Sequence, residues 1–336
     1  MPQVLAYCCA LILAQAVSFA PAFAQIPDYL DGASPRLQLF AAPQGAIEIG
    51  QMQRALGLSG GQGVIFARAG LAPVLRYDPN INGGTPGETI KIGGLIFTLS
   101  EDSRAKAGLI AGLSPSARMK FSFGRGHVLE ASASAAALRA LSHDLTTRSH
   151  NASLCNANFL GRATWLDICA RQSATLRDLG TSRSTSRSLG LAHQFAGAGG
   201  VFEITAKRSQ TRHVDYSKMS TDLGITYAAP RLGTLRLDWV QGERIAGKHT
   251  QLQGASLSLS RKMFQRPTMV FASYTRDGGA SFFGAPREDT AYSFGVSRAI
   301  GRKMRVTLSW RRSQSTLENY SGHSIGFDVT FADLRF

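Results

Sequence analysis

From about residue 62 onward, hydrophobic and polar residues repeatedly take turns along short segments. Met304, Val306, Leu308 and Trp310 alternate with Lys303, Arg305, Thr307 and Ser309, and Leu235, Leu237 and Trp239 alternate with Arg236 and Asp238. Phe202, Ile204 and Ala206 stand against Glu203, Thr205 and Lys207, as do Ile325, Phe327, Val329 and Phe331 against Gly326, Asp328 and Thr330. A period of two puts successive side chains on opposite faces of a strand, so each segment offers one face to hydrocarbon and one to water. The pattern predicts strand cores near residues 67–77, 104–113, 117–126, 149–159, 164–173, 186–195, 200–209, 218–228, 233–242, 252–261, 267–276, 288–298, 303–312 and 323–336. That makes about fourteen strands, an even number of the kind found in bacterial transmembrane barrels.

The connections between these cores sort by length. Those after even-numbered strands are short: Ser114-Pro115-Ser116, Leu160-Gly161-Arg162, the Ala196–Gly199 run, Pro230-Arg231-Leu232 and Ile300-Gly301-Arg302, with Lys262–Arg266 somewhat longer. Those after odd-numbered strands are longer, including 78–103, 127–148, 174–185, 277–287 and 313–322. Transmembrane barrels have short periplasmic turns and long external loops, whereas a soluble sandwich has no reason to separate them by parity. The predicted fold is all-β: a closed, antiparallel, up-and-down transmembrane barrel over residues 62–336. Its first strand runs outward and its last returns to the periplasmic rim, where the terminal aromatic Phe336 resembles a C-terminal assembly signal read by the barrel-assembly machinery.

Two stretches break the alternation. Leu129–Leu141 is rich in Ala and Leu and reads as a helix in an external loop or folded into the lumen. Residues 25–61 are irregular, with a short helix expected around Ile47–Leu56, and form a periplasmic lead-in. Before them, Val4–Phe19 is apolar and ends in Ala22-Phe23-Ala24, the small-x-small pattern of a signal-peptidase site, so residues 1–24 read as an exported signal peptide cleaved before Gln25. Its n-region lacks Lys and Arg. Tyr7 precedes Cys8 and the apolar run continues past Cys9, which argues against a lipid anchor. Cys155 and Cys169 then remain in an oxidising compartment, placed almost symmetrically about the turn near Arg162, where they could bridge one hairpin or stand as isolated small residues if the register slips.

Composition changes this picture little. The chain is 44% hydrophobic over 336 residues, and its 35 glycines suit many turns. After the N-terminus no run reaches the ~18 apolar residues that a spanning helix needs. The formal charge of +15 raises nucleic-acid binding. Yet Lys and Arg are spread along the chain with no basic helix or zinc framework, so no nucleic-acid partner is expected. Positive rims and a positive lumen suit contact with outer-membrane lipid, lipopolysaccharide or acidic cargo.

A search for catalysis gives little. Gly57-Leu58-Ser59-Gly60-Gly61 matches the spacing of a nucleophile elbow but follows a helical stretch and enters a Gly-rich linker, the reverse of the context that motif needs. His127, His143, His150, His213, His249 and His323 fall in or near loops, without spacing to a nucleophile or a metal set. Gly124-Arg125-Gly126 and Gly93-Gly94 lack phosphate-loop context. The expectation is no enzyme, no cofactor and no metal.

Several segments carry a recognisable order: Asp78-Pro79-Asn80-Ile81-Asn82; Phe97 through Ala105; Phe282-Phe283-Gly284 with Arg287-Glu288-Asp289 and Tyr292; and Ser313 to Tyr320 before the terminal Phe. In this order they resemble the C-terminal barrel of the surface lipoprotein assembly modifier family, over about residues 70–336. The resemblance implies an outer-membrane translocator that helps lipoproteins or secreted proteins, its cargo, reach the cell surface. Members of that family commonly carry a tetratricopeptide domain, and residues 25–61 are too short for an array of ~34-residue repeats. Alternation assigns Glu203, Lys207, Arg236, Asp238, Lys303 and Arg305 to the polar inner wall. The alternative is a passive porin or solute channel of the outer membrane.

Overall fold

The computed structural model describes residues 27–42, 47–92, 95–282, 285–301, 304–331 and 334–335; the predicted signal peptide, Lys303 and Phe336 lie outside them. Strand β1 (Gly63–Asp78) is followed by a small hairpin of β2 (Thr89–Ile92) and β3 (Leu95–Thr98). The chain then runs through β4 (Gly108–Gly124), β5 (His127–Ala140), β6 (Thr146–Gly161), β7 (Thr164–Arg177), β8 (Gly180–Gly197), β9 (Gly200–His213) and β10 (Ser217–Ala229). It finishes with β11 (Gly233–Gly242), β12 (Thr250–Met263), β13 (Arg266–Phe282), β14 (Ala285–Ile300), β15 (Met304–Ser315), β16 (Gly322–Phe331) and the two-residue β17 (Leu334–Arg335). From β4 to β16 each strand pairs antiparallel with its chain neighbour. β1 pairs β4 on one side and β16 and β17 on the other, so fourteen staves close into a cylinder.

Closure gives the period-two pattern its meaning. Leu154, Ile168, Leu189, Ile204, Leu237 and Leu308 all stand exposed on one face. In water so continuous an apolar belt would be a liability; hydrocarbon is its solvent. The opposite parity is polar. Glu203 sits opposite Thr226, Thr226 opposite Arg236, and Asp238 opposite Ser256, so one inner face is carried from strand to strand. Hydroxyls pair across that wall, Ser132 with Ser153 at 2.7 Å and Ser273 with Ser293 at 2.6 Å. The barrel is an outer-membrane one by this combination of even strand number, closure and belt.

Two expectations fail locally and cancel in the strand count. Residues 104–113 and 117–126 are not separate strands; Ser114-Pro115-Ser116 lies inside the single strand β4. Proline lacks a ladder donor. Around Pro115 the pairing with β5 skips from Leu113–Ala137 to Ser116–Ser134, and the Ser114 hydroxyl donates to the Ala135 carbonyl at 2.9 Å. Conversely, the expected helix at Leu129–Leu141 is strand β5. Its Ala-rich propensity is overridden by the sheet edges on both sides, because Glu130 and Ser132 alternate inward and find partners on β4 and β6.

The turn at Gly124-Arg125-Gly126 replaces the one expected at 114–116. Together with Arg162-Ala163, Ala198-Gly199 and Phe264-Gln265 it has a left-handed backbone at both central residues. That geometry matches the twist of paired strands and makes two-residue hairpins. All four lie at one end of the barrel. Strands reach further than expected at the other end, so 174–185 shrinks to the Asp178-Leu179 turn between β7 and β8. The Asp78–Ser103 stretch and 313–322 do hold longer connections, 79–107 and 316–321.

Belt and wall are expected to respond oppositely to charge. Leu308→Arg, facing lipid, should lower stability in lipid vesicles by ~2–4 kcal/mol, while Ser309→Arg, facing the lumen, should cost under about 1 kcal/mol. Urea unfolding midpoints of the two variants check this.

Candidate functional site: a polar lumen strapped at one mouth

The lead-in does not hang below the barrel. Residues 27–42 and 47–61 lie across the short-turn mouth as a strap. A single 3-10 turn at Asp28–Leu30 leads to α1 (Pro35–Ala41), then α2 (Ile47–Ala55). Ser34 caps α1 by accepting from the Leu37 N–H at 3.0 Å, and Pro35 opens the helix where no donor is needed. Leu30 and Leu37 are fully buried against the inward Ala228 of β10.

Polar contacts fasten the strap around much of the wall. Lys262, at the end of β12, bonds Asp28, and Thr234 on β11 donates to the Tyr29 carbonyl at 2.7 Å. Ser34 donates to Glu203 on β9 at 2.8 Å, and Gln194 on β8 donates to the same oxygen at 2.7 Å. Arg36 forks onto both oxygens of Asp167 on β7 at 2.7 and 2.5 Å, its guanidinium 4.6 Å from the Trp165 ring centre. Leu56 packs on Trp165 and Ala192. Gly126 then donates to the Gly57 carbonyl at 2.9 Å and Ser122 to the Gly61 carbonyl at 3.0 Å, after which the chain enters β1. Burial pushes the Asp31 carboxyl up, Lys262 opposing it. The Gly57–Gly61 run is therefore part of the strap and no nucleophile elbow.

The opposite mouth receives the 79–107 connection. Ile81 is fully buried on the inward Ile110, Leu138 and Ala140. Asn82 donates to the Arg104 carbonyl at 2.7 Å and accepts from the Lys106 N–H at 2.9 Å, while Arg177 on β7 donates to the Asn80 carbonyl at 3.0 Å. Asp78, Asn80 and Asn82 thus fold the loop inward. Across the same end, Asp289 gathers His249, Arg287 and Ser315, and Arg287 stacks 3.5 Å from the Tyr320 ring centre. The segments behind the family resemblance that lie within the described residues cluster at this end.

Behind the strap a cavity of about 650 Å3 opens in the lumen, lined by Arg36 and by Arg118, Lys120, Glu130, Lys207, Asp222 and Asp238 of the wall. Its charges are mostly paired: Arg118 and Lys120 with Glu130 at 2.5 and 3.2 Å, Lys207 with Asp222 at 2.9 Å, and Arg236 with Asp238 at 2.7 Å. Arg171 is different. It lines a recess of about 390 Å3 with Ser114, Ser134, Asn151 and Ser173 and has no acidic partner among the described residues. Arg311 on β15, far round the cylinder, shares that state, and Arg305 reaches only the Ser297 hydroxyl at 3.5 Å.

Alternation placed Lys207, Arg236, Asp238 and Arg305 on the inner face, where the structure has them. Glu203 shares that face yet is buried and clamps the strap. Cys155 and Cys169 are directly opposed on β6 and β7, their sulfurs bonded, in the wall of the cavity. Arg36, Asp167, Glu130 and Arg171 went unnoticed in the sequence. Asp167 and Arg171 do alternate with Ile168 and Ala170; Arg36 carried no signal. The six histidines placed in or near loops scatter, and no group of His, Cys, Asp or Glu suited to a metal occurs among the described residues.

No protein-family model and no curated relative matches the chain. Among solved structures it is similar to OpdK of Pseudomonas aeruginosa, crystallised with vanillate, at 10% identity and a TM-score of 0.42, over 82% of this chain and 100% of that one. OccAB3 of Acinetobacter baumannii gives 7% identity and 0.42 over 80% and 99% of the two chains, and OprD of Pseudomonas aeruginosa 6% and 0.42 over 83% and 95%. Overlap this loose leaves the lumen to be read from its own residues.

Arg36→Ala should loosen the strap, since a bidentate pair and a ring contact vanish together. With a third of Asp167 left to water, the loss should be about 1 kcal/mol. Chymotrypsin cleavage within residues 27–61 should then run about fivefold faster than in the parent.

Proposed function

We propose that this barrel is an outer-membrane channel for small polar solutes, favouring anions over cations. The carrying observation is a hydroxyl-rich inner wall in which Arg171 and Arg311 have no acidic partner among the described residues, while Glu130, Asp167, Asp222 and Asp238 are held in ion pairs and Glu203 is held by the strap. Field lines from unpaired cations concentrate in a low-dielectric tube and raise the local anion concentration. The strap and the inward loop narrow the path at its two mouths, so conduction is expected in small or intermittent steps. Planar bilayers with a salt gradient test this. The parent should give an anion-selective reversal potential, and Arg171→Ser with Arg311→Ser should reduce the selectivity ratio about twofold. Cation selectivity, or an unconducting parent and Arg36→Ala variant, would sink the reading.

One observation favours a second reading, a translocator for surface proteins as the assembly-modifier resemblance implies. The closing seam is short. Among the described residues β1 meets β16 only at Val74–Arg76 with Asp328–Thr330, and β17 at Gly70–Leu71, while its ladder with β4 runs from Gly63 to Asp78. A seam held by few ladder bonds is the cheapest place to part the wall. Leu75 and Val329 are directly opposed there. Leu75→Cys with Val329→Cys, once oxidised, should stop display of a surface protein under this reading and leave conductance unchanged; display unaffected by the locked seam removes it.

A further inference from the structure

The outer wall carries a charge cluster that neither lumen nor seam explains. On β8 the lipid-facing parity reads Arg183, Thr185, Arg187, Leu189, Leu191; on β9 it reads Ile204, Ala206, Arg208, Gln210, Arg212. Both run from aliphatic to cationic towards the end of the barrel that bears the inward loop. The register sets Arg187 opposite Gln210, with Arg208 and Arg212 on its two diagonals, about 7–8 Å away by strand geometry. All four arginines are exposed. Arg208 donates to the Thr221 hydroxyl at 2.5 Å. None of the four has an acidic partner among the described residues, whereas the outward Arg139 and Arg276 are held by Asp144 and Glu288.

Directly below the cluster the belt is hollowed. A groove of about 570 Å3, lined by Leu129, Leu154, Ile168, Ala170 and Leu189, ends at Arg187 and Arg208. The small Ala170 gives it depth. A second groove in the belt, about 830 Å3 between Leu235 and Ile325, has no charged lining residue. Hydrocarbon fills either groove, but only the first adds uncompensated cations at its head.

We propose that this site holds a phosphorylated, acylated lipid of the outer leaflet, the lipid A part of lipopolysaccharide, with a chain in the groove and phosphates on the arginines. Guanidinium forks match phosphate oxygens, and partial desolvation at the lipid boundary strengthens the match. Short turns mark the periplasmic face, so the arginines lie at outer-leaflet level. Four cations without acids fit a lipid bearing two phosphates better than a phospholipid bearing one. The inference rests on the membrane-spanning barrel alone and is indifferent to what passes through the lumen.

The test uses the full-length protein, freed of lipid in detergent and titrated with diphosphoryl lipid A, dephosphorylated lipid A or phosphatidylglycerol under native mass spectrometry. The parent should retain diphosphoryl lipid A, and both other lipids should bind about tenfold more weakly. Arg187→Gln with Arg208→Gln should lose about tenfold in lipid A affinity, while Arg312→Gln, an outward arginine away from the groove, should lose none. Heat-modifiable gel mobility reports folding; should that double variant misfold, Arg183→Gln with Arg212→Gln, nearer the rim, is read in its place. Undiminished lipid A binding in the folded double variant overturns the site. Equal retention of phosphatidylglycerol would instead assign it to anionic phospholipid and overturn the choice of lipid A. Bilayer conductance of the variant should match the parent, which keeps this outcome separate from the channel reading.

Discussion

Inside hydrocarbon a backbone N–H or C=O has no water to turn to, and everything in this molecule follows from meeting that demand with strands. An open sheet would leave two edges unpaired at a cost of several kcal/mol for each group. The chain instead brings β1 round to β16 and β17. Closure makes an inside and an outside, and only then does alternate patterning become a belt and a lumen. It also explains how Pro115 is tolerated in the middle of β4: the missing donor falls where pairing with β5 is skipped, and a neighbouring serine hydroxyl serves the carbonyl left facing it.

The lumen created this way is too polar to pack itself. Its hydroxyls bond across strands, its acids take up most of its cations, and the remaining space is occupied at each mouth by chain that is not part of the barrel. The strap docks through a few inward apolar positions, Ala228, Trp165 and Ala192, and through Glu203 and Asp167, which would otherwise be costly charges in a confined space. Glu203 illustrates the point. On an open wall it would face the path directly; here it is buried beneath the strap, its carboxylate accepting from Ser34 and Gln194.

The outer surface repeats the logic in reverse. Where arginines face outward beside an acid they are quiet; where four stand together above an apolar hollow, the missing counter-charges have to come from the surroundings. A membrane leaflet rich in phosphate is the surroundings such a wall meets.

Much of this was legible in the chain. Period-two alternation, as at Met304–Trp310, marked strands and which of their faces is polar, because side-chain direction on a strand is a purely local property. The alternating order also placed Lys207, Arg236 and Asp238 inward and made Cys155 and Cys169 neighbours about one turn. What the chain alone did not decide was non-local. Ala-rich β5 has helical propensity, and only the edges of β4 and β6 turn it into a strand. Gly124-Arg125-Gly126 and Ser114-Pro115-Ser116 are both turn-like in composition, and the ladder chooses between them. Residues 27–61 carry no pattern announcing a strap, since the partners of Ser34 and Arg36 lie more than a hundred positions away, and nothing but closure of the cylinder brings Glu203 and Asp167 beneath them.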